Sequence, residues 1–87
     1  MTDKNQAEPL VRSYPVEPRM QQQIDECFTY HPPKPDQVGR YVDLRAAGRE
    51  LALLIARSSP PSRAQSVALT KLEESIMWAN AAIARGE

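Results

Sequence analysis

Apolar residues recur at helical spacing over two long stretches of this chain and one short one. In the first long stretch Val38, Tyr41, Leu44, Gly48, Leu51 and Ile55 follow at intervals of three and four, while Arg40, Asp43, Arg45, Arg49 and Glu50 lie mostly on the other side. This predicts a helix from about residue 37 to about residue 57, with Asp36 as its N-cap. Pro60 and Pro61 end it, and Ser62 or Ser59 stands ready to cap the next helix. From Arg63 to Arg85 there is neither glycine nor proline, and Leu69, Leu72, Ile76, Ala79 and Ile83 alternate at the spacing of a coiled-coil seam. Two helices of roughly 20 residues joined by a tight loop form an antiparallel helical hairpin.

The short stretch lies upstream, where Met20, Ile24 and Phe28 share one helical face. A short helix there must stop near Tyr30, because each proline of His31-Pro-Pro-Lys-Pro35 fixes its own φ and pushes its predecessor out of the helical region. Pro9, Pro15 and Pro18 act likewise on the start of the chain. Residues 1–18 are therefore expected to be a flexible tail and residues 19–87 a helical hairpin domain. The fold class expected is all-α, an antiparallel helical hairpin with a short N-terminal helix.

The second long helix carries more apolar surface than one partner helix covers. Besides its seam, Val67, Ala68, Met77, Trp78, Ala81 and Ala82 are spread around the cylinder. A helix apolar on several faces is buried on several faces. In a chain of 87 residues the extra cover must come from other copies, which predicts a homo-oligomer.

Composition narrows the chemistry. Lys and Arg number 11 and Asp and Glu number 11, so the chain is neutral, which disfavours a grip on duplex DNA through its phosphates. One cysteine, Cys27, excludes an internal disulfide, and with one histidine, His31, the chain falls short of the three or four ligands of a zinc site. No apolar run reaches membrane length, and the first residues are polar and proline-bearing, so a soluble, intracellular protein with no membrane partner is expected.

A catalytic constellation is missing too. No serine sits in a G-x-S-x-G elbow, and Gly39, Gly48 and Gly86 are too isolated to build a phosphate loop. Glu73 and Glu74 read as solvated helix charges, with Lys71 three residues before Glu74. Cys27 beside Phe28 reads as a small packing residue rather than a nucleophile. An enzyme is disfavoured, and no cofactor or metal is called for.

A binding signal remains. Between Val38 and Arg63 lie five arginines (Arg40, Arg45, Arg49, Arg57 and Arg63) against two acids, a local basic surplus in a neutral chain. Arginine's planar fork suits phosphate oxygens, and Arg63 falls in the first turn of a helix, where free N–H groups also favour an anion. Ser62 and Ser66 add hydroxyls nearby. The plainer alternative is a soluble, arginine-rich face. Upstream, Tyr30 and His31 in Phe28-Thr-Tyr-His-Pro-Pro33 are suited to stacking on a nucleobase, unless Phe28 and Tyr30 only staple the linker to the hairpin.

These blocks resemble a known family. Phe28-Thr-Tyr-His-Pro-Pro33, then Pro60-Pro-Ser-Arg63, Ser66-x-Ala-Leu-Thr-Lys-Leu-Glu-Glu74 and Met77-Trp-Ala-Asn-Ala-Ala-Ile-Ala-Arg85 are similar to the phage anti-defence proteins that inhibit CBASS, and their relatives that inhibit Thoeris. The resemblance covers about residues 28 to 87. It implies a hexamer of helical hairpins in the host cytoplasm that binds cyclic dinucleotides, and cyclic trinucleotides at separate sites, acting as a sponge that cleaves nothing. It also implies ligand-binding roles for Tyr30 and His31 of the aromatic motif, Arg45, Arg63, Ser66 and Thr70. Two rivals stand beside it: a helical oligomeric adaptor binding a protein partner, and a phosphodiesterase, which the missing metal ligands and base disfavour.

Overall fold

The computed structural model describes residues 12–87, with three helices and no strand among them: α1 (Pro18–Cys27), α2 (Pro35–Ser58) and α3 (Arg63–Gly86). Most of the expected tail lies outside the described residues; residues 12–17 run without helix or strand into α1. Pro18 opens α1 at a position where its missing N–H is no loss.

The second helix begins earlier than the spacing predicted. Its N-cap is Lys34, with Pro35 in the first turn, so Asp36 is displaced from the capping position to inside that turn. The physical reason is that proline, lacking N–H and pre-set in φ, starts a helix better than it precedes one. Gln37 supplies the cap: the Lys34 backbone N–H donates to Gln37 Oε1 at 3.0 Å, and the Gln37 N–H donates to the Lys34 carbonyl at 2.9 Å. Asp36 still favours the positive end of the helix dipole.

The helix ends at Ser58, where the Ser59 N–H donates to the Ile55 carbonyl. Ser62, not Ser59, caps α3: its Oγ accepts the Gln65 N–H at 3.1 Å. Gln65 Nε2 in turn donates to the Ser59 carbonyl at 2.8 Å, which ties the loop closed.

α2 and α3 pack against each other as the hairpin, and every residue of α1 is exposed. Leu69, Leu72, Ile76, Ala79 and Ile83 of the expected seam are all half-buried. On α2 the seam runs one position off the prediction at its start: Gln37, Tyr41, Leu44, Gly48, Ala52 and Ile55 face inward, while Val38 and Leu51 stay exposed. Gly48 marks the closest approach, since a Cβ there would lie 2.8 Å from Ile76 Cγ1. No apolar residue is fully buried among those described; the one fully buried large side chain is Gln37, 2% exposed. Met77, Trp78, Val42, Leu54 and Val67 remain open to solvent. No helix among the described residues is long and apolar enough to cross a membrane.

Candidate functional site

The linker between α1 and α2 is held by its own polar side chains. Phe28 N–H donates to the Ile24 carbonyl, and the Thr29 hydroxyl donates to the Asp25 carbonyl, satisfying two acceptors at the end of α1. The His31 Nε2–H donates to the Glu26 carbonyl at 2.9 Å, which leaves its Nδ1 an acceptor. His31 is thereby half-buried and oriented, while Phe28 and Tyr30 stand 86% and 79% exposed. Aromatic rings so open do not staple the linker to the hairpin. They leave their ring faces open to solvent.

Tyr30 and His31 border an open cleft against the last turns of α3, with Tyr41, Asn80 and Arg85 among its other walls. A second depression adjoins it, running from Tyr30 and His31 along Pro32–Pro35 to Arg85 and Glu87. Asn80 Oδ1 is buried with no hydrogen-bond donor. An acceptor left in that state costs about 1–3 kcal/mol. Arg85 stands over the Trp78 ring, 5.9 Å from its centroid.

One end of the second depression is an ionic clasp. Glu87 accepts from Arg40 Nη1 at 2.6 Å and Nη2 at 2.8 Å, and from Gln37 Nε2 at 3.0 Å; Lys34 Nζ donates to the Glu87 carbonyl at 2.9 Å. The bidentate Arg40 bond, followed by that of Gln37, holds the Glu87 carboxyl down at about 2, from an ordinary 4.5. The same bond raises the Arg40 guanidinium. Arg40, counted in the basic surplus, is therefore already matched by an acid.

The remaining sequence candidates stand elsewhere. Arg45, Arg63, Ser66 and Thr70 are exposed and line neither depression. Thr70 precedes Ala84, a wall of the Tyr30 cleft, by 14 residues on α3, which is about 21 Å at the rise of an α-helix. Tyr30 and His31 thus come together within one chain, whereas Arg63, Ser66 and Thr70 lie toward the other end of the hairpin. Asn80, Tyr41 and Arg85 join the cleft without having been singled out. A signal for Asn80 was present, as an amide flanked by alanines on the seam side of a helix.

Of the groups suited to catalysis, Cys27 and His31 border the same cleft, with His31 Nε2 already engaged by the Glu26 carbonyl. Glu74 pairs with Lys71 at 3.3 Å on the surface, as its spacing predicted. Cys27 corrects its expectation: it is exposed rather than packed, because α1 does not lie on the hairpin. Among the described residues no three His, Cys, Asp or Glu side chains cluster as a metal site would need.

A family model described as "Acb2/Tad1, hairpin domain" matches residues 20–84, about three quarters of the chain. No curated protein and no solved structure matches it.

Proposed function

Because the chain belongs to the Acb2/Tad1 hairpin-domain family of anti-CBASS and anti-Thoeris sponges, we propose that it binds cyclic di- and trinucleotide messengers and sequesters them without cleavage. Host CBASS effectors then go without their activator in the host cytoplasm. The observation that carries this reading is the family match itself, and the open aromatic surface of Tyr30 beside Arg85 supports it. A base stacks on Tyr30 while His31 supplies Nδ1 as an acceptor. Arg45 contributes a phosphate contact, and Arg63, Ser66 and Thr70 contribute phosphate and hydroxyl contacts from a neighbouring copy, because one chain holds those three toward the other end of the hairpin from Tyr30.

A site divided between copies requires an oligomer of the 19–87 hairpin, and the family resemblance implies that it is a homohexamer. Its support within the protomer is the exposed set Val42, Leu54, Met77 and Trp78, which gains cover only from further subunits. Placing phosphates between subunits strengthens each arginine contact by lowering the surrounding dielectric. Sequestration requires nothing further of the protein, and the scattered acids fit a role without chemistry.

Calorimetric titration with a panel of cyclic di- and trinucleotides, followed by chromatography of the ligand after heat release, tests this reading. Binding with intact recovery supports it. Degraded ligand overturns sequestration, and no heat across the panel overturns nucleotide binding in favour of a protein partner.

A further inference from the structure

Arg85 differs from the cations around it. Arg40 is held by Glu87, and Lys34 donates to the Glu87 carbonyl. Arg85 has no hydrogen bond or ion pair among the described residues, although it is half-buried. It also borders three adjoining depressions: the Tyr30–His31 cleft, the Pro32–Pro35 groove, and a shallow site with Trp78 and Glu26. Resting over Trp78 occupies one face of the guanidinium and leaves its N–H edge for oxygen acceptors. A partly desolvated cation without an anion is incompletely compensated.

A second incomplete group shares the cleft. Asn80 Oδ1 is buried and lacks a donor. The cleft therefore offers a fork of donors to an anion, and on its wall Asn80 keeps an unfilled acceptor that a hydroxyl or amine meets only if the side chain turns outward. A phosphodiester-linked ribonucleotide carries both complements, and its base matches the exposed ring of Tyr30.

We propose that Arg85 is the phosphate-binding cation of the Tyr30–His31 cleft, fixed by Trp78 so that a cyclic oligonucleotide's phosphodiester meets it while a base lies on Tyr30. This rests on the cyclic-nucleotide reading and adds to it a residue outside the aromatic motif and the arginines of α2. A purely structural Arg85, serving only the negative end of α3, would alter stability and leave affinity alone.

The test titrates the full chain, wild type and Arg85→Ala, Arg85→Lys and Arg85→Gln, with cyclic di-AMP, cyclic GMP–AMP and cyclic tri-AMP. Calorimetry is read alongside the emission of Trp78, the protein's single tryptophan. The wild type binds with a saturable change in emission. Arg85→Ala weakens binding roughly ten- to hundredfold, the range of one charge-assisted hydrogen bond, and its affinity responds less to salt. Arg85→Lys falls between, keeping charge and losing the fork. Should Arg85→Ala misfold, Arg85→Gln keeps the side-chain stem and carries the same expectation. A folded Arg85→Ala or Arg85→Gln protein binding within twofold of wild type overturns the assignment while the sponge stands. A wild type that binds none of the three overturns the nucleotide reading itself.

Discussion

Tyr30 is oriented by its neighbours rather than by its own contacts. His31 anchors the following residue to the Glu26 carbonyl, and Pro32 and Pro33 stiffen what comes next. The backbone that carries the ring thus has little conformational freedom left to lose. Stacking of one base on such a ring contributes about 1–3 kcal/mol, so Tyr30→Ala is expected to weaken cyclic-nucleotide affinity roughly ten- to hundredfold with the sedimentation of the protein unchanged; equal affinity by calorimetry removes Tyr30 from the site. The Glu87 clasp carries a pH signature. Its carboxyl is held at about 2 against an ordinary 4.5, so the clasp's stabilisation is complete above the ordinary value and is lost as pH falls toward about 2. The protection factors of the Lys34 and Gln37 amides, taken against the unstructured exchange rate at each pH, are expected to fall over that window in the wild type and to lack that component in Glu87→Gln. Identical profiles would show that the clasp does not secure the start of α2.

At the level of elements, much of the hairpin was legible. Pro60, Pro61 and Ser62 fixed the turn because each acts on its immediate neighbours, and the seam of α3 followed from spacing alone. The start of α2 was not legible: Gln37 takes the seam position expected of Val38 because Glu87, 50 residues away, accepts its side-chain N–H. No local pattern encodes a partner that distant. The same limit hid Arg85 and Asn80, which become cleft residues only once the linker folds back toward the end of α3. Gly48, by contrast, showed as a gap in an apolar row, and its role is close approach. An alanine there gains about 1 kcal/mol of helix propensity but forces Ile76 aside from 2.8 Å, and overpacking typically costs about 1–3 kcal/mol. Gly48→Ala is expected to lower Tm by a few degrees; a raised Tm would mean that Ile76 yields freely.

For the whole molecule, the dimensions are as telling as the contacts. At 24 residues each, α2 and α3 make a hairpin about 36 Å long, with no apolar side chain among the described residues fully buried. The layer is two helices deep at most, so the seam has little to spare. Ile76→Asp places a charge opposite Gly48 with no cation arranged to meet it, and the loss is expected to reach about 3 kcal/mol or more. Sedimentation and circular dichroism should show a dissociated, largely unfolded chain. A well-ordered assembly in that variant would place Ile76 outside the seam.

If copies of the hairpin cover one another as proposed, the want of a wholly buried apolar side chain among the described residues makes dilution a denaturant. When folding and association share the same apolar surface, mass action sets the midpoint of unfolding, and Tm should climb with protein concentration. On the proposed sponge reading, this would turn the protein into a thresholded reservoir. Under that reading, chains below a critical dose would neither hold their shape nor hold messenger, and above it each added copy would complete pockets as well as supply them.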